Sequence, residues 1–290
     1  MRHPGFTGGA SWTMEDIPYA ALAHERVRDD RRLFYLVTSA SFIEITSDLY
    51  THNLVEYFRH DREIADWLAR VWQKEEVQHG AALRRYVETA WPDFDWEAAY
   101  RAFLAAYAPL CTVDQLAATR ALEMAARCVV ETGTATFYRM LSERSREPVL
   151  KQLAAKISAD EVRHYKHFYR WFLRYQAVER PSRAAVLRAL WSRAAEIEAG
   201  DAFHAFKAVF LARHPHSEFR KDDYDAYRKA IVQLGKHHYP YGMMVKMLLK
   251  PLGLNAVVGR AVLPVIASAL RFLTRHAVRD STGGTLTSRL

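Results

Sequence analysis

KEEVQHG at residues 74–80 and ADEVRHY at residues 159–165 each set an acidic pair ahead of a histidine, and the pattern Glu-Val-x-His recurs at an interval of 85 residues. Residues three apart on a helix share a face, so Glu76 and His79 point the same way, as do Glu161 and His164. Upstream of each copy lies a second glutamate in an apolar or small-residue stretch: Glu44 in SASFIEITSDLY and Glu131 in AARCVVETGTATFY. The intervals agree closely, with 32 residues from Glu44 to Glu76 and 30 from Glu131 to Glu161. The repeated unit is half a molecule: a helix with a glutamate, a turn, and a helix with Glu-x-x-His.

Helical periodicity predicts long helices over 32–60, 62–90, 113–146 and 148–179, with a shorter one over 95–108. In antiparallel neighbours, mid-helix residues meet at the same height, so the expected fold is all-α, a four-helix bundle over 32–179 with the repeated glutamates and histidines at its centre. An N-terminal segment, 1–31, precedes it. After ERPSR at 179–183 the pattern shortens to helices near 183–199, 200–212 and 218–236, then a turn at HHYPYG, 237–242. These form a C-terminal helical extension over 180–278, and RDSTGGTLTSRL at 279–290 reads as a disordered tail. No strand alternation survives anywhere.

Four glutamates buried together repel one another and are neutralised at large cost unless a cation is present. Two divalent metals remove that cost. Oxygen and imidazole ligands with bridging carboxylates suit iron or manganese, or a mixed pair of the two. The candidate ligands are Glu44, Glu76, His79, Glu131, Glu161 and His164. Glu75 and Asp160 read either as surface charge or as acceptors for the N–H of the opposite half's histidine. His167 reads as a neighbour of the site, Glu123 lies off the ligand face, and His237 and His238 read as surface residues beside a proline turn. Trp72 and Trp171 lie on the ligand stripes and read as core residues.

The motifs EEVQH and DEVRH resemble those of the ferritin-like di-iron carboxylate proteins, and are closest to the soluble acyl-carrier-protein desaturases, whose motifs run EENRH and DEKRH. The resemblance covers residues 32–179 and leaves the C-terminal 110 residues outside it. It implies two iron ions, with Glu44 and Glu131 as the terminal or bridging glutamates and Glu76, His79, Glu161 and His164 completing the ligand set; our reading has Glu76 and Glu161 as the bridging pair. ETGT at 131–134 stands where the desaturases have ERAT, which implies proton delivery by Thr134; the other reading is a threonine packing its methyl into the bundle. A related branch, the arylamine N-oxygenases, uses an extra histidine, which keeps His167 in view. The implied activity is an O2-dependent oxidoreductase of the desaturase, hydroxylase or N-oxygenase type, acting on an acyl chain or a small aromatic. The alternative is a ferritin-like iron-storage or ferroxidase protein, against which the extra C-terminal helices weigh.

The chain has 290 residues, a formal charge of +8, a pI near 9.4 and two cysteines. Such a composition excludes a disulfide framework and a cysteine-held iron–sulfur cluster. No Gly-x-Gly-x-x-Gly follows a strand, so flavin or nicotinamide binding is not expected and electrons must come from outside, from a ferredoxin with its reductase. Acidic donors and an acyl carrier protein both suit a basic partner. No nucleic-acid recognition module is visible, and a homodimer stays open. The start lacks the apolar core of a secretory signal, so a cytoplasmic setting is the expectation. Leu252–Leu273 has nearly the length of a bilayer span, but Arg260 near its middle and Pro264 count against one. It reads as a core or lid helix, or as an interfacial helix giving peripheral membrane contact, flanked by Lys246, Lys250, Arg271 and Arg275.

Overall fold

The computed structural model describes residues 12–112 and 116–280. The N-terminal stretch forms three short 3-10 turns, Met14–Asp16, Tyr19–Ala21 and His24–Arg26, that bury Trp12, Ile17, Tyr19, Leu22 and Val27. Helix α1, Arg31–Ile45, starts at Asp30, whose carboxylate accepts from the Leu33 amide, satisfying one orphan donor of the first turn. Helix α2 covers Ser47–Tyr57 and α3 covers Arg62–Trp67; a π-helical turn, Leu68–Trp72, then leads into α4, Gln73–Ala90. Next come α5, Trp96–Tyr107, α6, Arg120–Arg144, and α7, Pro148–Glu179. Pro148 at the first helical position and the Glu147 carboxylate, accepting from the Val149 and Leu150 amides, start α7; Arg180 in the left-handed region ends it. The chain closes with α8, Arg183–Ala199, α9, Asp201–Arg213, α10, Lys221–Gly235, α11, Tyr241–Leu249, and α12, Ala256–Asp280. No strand occurs among the described residues.

Three expected boundaries change. The helix expected over 32–60 is broken at Thr46, whose hydroxyl bonds back to the Phe42 carbonyl at 2.6 Å and whose φ and ψ of −88° and 4° leave the helical path. The helix expected over 62–90 carries the π-turn, an extra residue per turn that re-aims the side chains after it. The helix expected from residue 113 starts at Arg120, because Thr119 caps it and Glu123 turns back to the Ala117 amide. The tail expected from residue 279 is helical through Asp280, and the remainder of that expectation lies outside the described residues.

Helix α1 packs on α4, α6 on α7, and α4 on α7, which brings the four glutamate-bearing helices to one interior. The later helices wrap this core: α9 lies on α1 and α5, α8 and α11 lie on α6, and α12 lies on α11 and α10. Phe206 of α9 stacks on Tyr227 of α10 at 4.1 Å and meets Tyr35 of α1 edge-on, so the extension shares one apolar cluster with the N-terminal helices. Burying each such ring contributes about 1.5–3 kcal/mol.

Gly80 marks a close approach of α4 to α1. A Cβ there would clash with the Ile45 amide nitrogen, a backbone atom beside the break that ends α1. Gly80→Ala must push α1 and α4 apart, and we expect it to destabilise the fold by about 1–3 kcal/mol, read as a lowered Tm. An unchanged Tm would contradict the close approach.

Candidate metal centre

The interior where α1, α4, α6 and α7 meet is polar. Ligand atoms of Glu44, Glu76, His79 and Glu161 lie within 4.8 Å of one another, and so do those of Glu76, Glu131, Glu161 and His164. The two groups share Glu76 and Glu161. All six residues are buried. The i, i+3 spacing does what the sequence suggests, turning Glu76 with His79 and Glu161 with His164 toward the centre. Glu44 sits in the last turn of α1, where the negative end of the helix dipole disfavours a carboxylate and a nearby cation would offset it.

Each histidine is held from behind by the opposite half. Nε2 of His79 is 3.1 Å from Asp160 Oδ2, and Nε2 of His164 is 2.6 Å from Glu75 Oε2. With Nε2 donating to a carboxylate, Nδ1 presents its lone pair to the interior. There, Nδ1 of His79 lies 3.1 Å from Glu161 and Nδ1 of His164 lies 3.0 Å from Glu76. Despite these distances, neither Nδ1 has a hydrogen-bond partner. One oxygen each of Glu131 and Glu161 is likewise buried without a hydrogen bond. Unpaired buried donors and acceptors cost about 1–3 kcal/mol each. Carboxylates and imidazole nitrogens gathered this closely are a donor set that could hold a divalent cation.

The electrostatics report the same surplus of negative charge. Burial, reinforced by Glu161 and Glu76, pushes the Glu44 carboxyl well above the ordinary range. Burial does the same at Glu131, where the nearby His164 imidazole opposes it and Glu161 adds to it. Burial acts against Glu161 ionisation too, but the adjacent His164 and His79 imidazoles overcome it and hold that residue well below the usual range. Burial works against an imidazolium at His79, yet the Asp160 and Glu161 carboxylates beside it lift it to about 10. Without a metal, the cluster keeps protons on several of these groups to balance its charge.

Beyond the six ligand-type residues, the structure joins both halves through Arg163. Its guanidinium donates to Asp160 Oδ1 at 2.6 Å and to Glu75 Oε2 at 2.8 Å, tying together the two carboxylates that orient the histidines. Trp12, from the N-terminal segment, donates Nε1 to Asp160 Oδ2 at 2.8 Å and stacks parallel to His79. Glu75 and Asp160 are buried, which decides between their two readings: they are the acceptors behind the histidines. Tyr138 donates to Glu44 Oε1 at 2.6 Å. Thr134 is half-buried and donates to Glu161 Oε2 at 2.8 Å, beside exposed Gly133.

The other sequence candidates fall outside both groups. His167 accepts from Trp171 Nε1 and stacks on Trp67 at 3.7 Å; burial, with Arg170, pushes it down to about 3 and keeps it neutral. Glu123 forms a buried ion pair with Arg127 at 2.7 Å. Trp72 and Trp171 are packed in the core, and His237 and His238 are exposed. Sequence reasoning missed Trp12 and Arg163. Trp12 leaves no periodic signal, whereas Arg163, three residues after Asp160 within DEVRH, was open to being read as its partner.

Glu75→Gln or Asp160→Asn keeps each side chain's shape and removes its charge. We expect either change to weaken divalent-metal affinity by about 10–100-fold, measured by titration calorimetry, with helical content retained; unchanged affinity would show that these carboxylates do not support the ligands. Metal binding must also displace the protons held on Glu44, Glu131, His79 and His164, so loading in weak buffer should release protons and affinity should fall as pH is lowered. Comparison of the chain with protein-family models, with curated proteins and with solved structures finds no match.

Proposed function

We propose that the chain is an O2-dependent di-iron oxidoreductase built on a ferritin-like four-helix bundle. The observation that carries this reading is the pair of buried ligand groups sharing Glu76 and Glu161. In this reading one ion would be held by Glu44, Glu76, His79 and Glu161 and the other by Glu76, Glu131, Glu161 and His164, with Glu76 and Glu161 common to both groups. Manganese at one or both positions is compatible with the same donors. Bound iron would supply the reduction of O2 and the oxidation of an unactivated C–H bond or an amine.

The chain's own contributions follow from its contacts. Asp160 and Glu75, clamped by Arg163, hold each histidine through its Nε2–H, so that Nδ1 is the nitrogen left to take a cation once its own proton is displaced. The Thr134 hydroxyl donates to Glu161 Oε2 at 2.8 Å from a half-buried position beside exposed Gly133, which supports a role in proton delivery. The substrate class in this reading, an acyl chain or a small aromatic, rests on the likeness of EEVQH and DEVRH to the desaturase motifs.

Electrons in this reading arrive from a separate protein of the ferredoxin type, and the charge of +8 favours an acidic donor or an acidic acyl carrier protein. The iron-loaded chain should consume O2 when a ferredoxin–reductase couple is supplied and not with NADPH alone. The rate should fall as salt rises from about 50 to 300 mM, where the Debye length shrinks. O2 consumption with NADPH alone would contradict the external donor. Accumulation of ferric mineral, with O2 consumed in proportion to the ferrous iron added and not to the reductant supplied, would favour storage over oxidation.

A further inference from the structure

Helix α12 is apolar on two sides. Its inner face packs Leu263, Ile266, Ala267 and Leu270 against Tyr241 and Val245 of α11. Its outer face exposes Val262, Val265 and Phe272, with Val265 66% and Phe272 61% accessible. A surface helix of a globular protein carries charged and polar residues opposite its core-facing stripe, and this outer face departs from that pattern. Exposed Leu254, in the turn just before α12, continues the apolar surface, and Arg183 of α8 fixes that turn by donating to the Gly253 carbonyl.

Charge decides what can cover this face. Between Tyr241 and Arg279 the sequence has six lysines and arginines and no aspartate or glutamate. Lys246, Lys250, Arg260 and Arg271 are exposed. A second copy of the chain, meeting the same face across a two-fold axis, would set these cations against one another. An anionic lipid surface supplies the opposite charge and an apolar layer for the side chains between them. Arg260 and Pro264 lie within the helix, and no described helix is long and apolar enough to cross a membrane, so the fitting geometry is a helix lying in the plane of the interface.

We propose that α12, with the turn at Leu254, docks the protein on an anionic bilayer surface by inserting Val262, Val265 and Phe272 while Arg260 and Arg271 contact lipid phosphates. This surface is separate from the metal centre, and its test does not depend on metal.

The test is flotation of the full chain with vesicles of phosphatidylcholine alone and of phosphatidylcholine with one third phosphatidylglycerol. Binding is expected to the anionic vesicles only, and to weaken with salt. Val265→Glu and the double change Arg260→Glu with Arg271→Glu should each cut the bound fraction by about tenfold, with helical content unchanged. Arg271 also lies over the Tyr241 ring of α11 at 6.0 Å, so the single change Arg260→Glu, with Tm unchanged, carries the test if either of the other variants disturbs packing on α11. Equal binding to both vesicle types, full binding by both variants, or a concentration-dependent dimer abolished by Val265→Glu without any vesicle binding would overturn the proposal.

Discussion

Four carboxylates share one buried volume, and much of the surrounding structure answers the charge they bring. Two unit charges at 4 Å interact by about 4 kcal/mol at an effective dielectric of 20, so Glu44, Glu76, Glu131 and Glu161 cannot all stay ionised there unaided. Positive charge must enter as protons or as cations. The histidines aim unpaired nitrogens into the cluster, and their outer nitrogens are already committed to Asp160 and Glu75. That division suits cations, because with the outer nitrogen of each ring held by a carboxylate the inner one becomes a ligand when a metal displaces its proton.

The helix irregularities cluster around the same constraint. Thr46 ends α1 two residues after Glu44, and the π-turn Leu68–Trp72 ends just ahead of Glu75 and Glu76. Gly80 lets α4 close on the Ile45 backbone, shortening the distance between the two helices at the level of the cluster. Outside it, Arg163 and Trp12 load positive charge and an N–H onto the orienting carboxylates, so the halves are joined by polar contacts as well as by apolar packing.

The ligand-type residues were legible because helical geometry turns an i, i+3 spacing into a shared face, and because the spacing occurs twice with a matching upstream glutamate. Helix identity was legible for the same reason: α5, α8, α9 and α10 fall within a few residues of their periodic patterns. The breaks were not. A Thr46 hydroxyl bonding back to a carbonyl and a π-turn with ordinary composition leave no mark on hydrophobic periodicity. Trp12 was illegible because its partner lies 148 residues away and nothing around it repeats. The division into bundle and extension reads clearly as a change of helix length, yet Phe206 and Tyr227 pack into the cluster that holds Tyr35, a tertiary fact beyond local pattern.

The central claim is that this cluster is built for two divalent cations. Crystals loaded anaerobically with ferrous iron and measured at the iron absorption edge test it directly. The account predicts two anomalous peaks per chain, one among Glu44, Glu76, His79 and Glu161 and the other among Glu76, Glu131, Glu161 and His164. A single peak, or none at these residues, would contradict it.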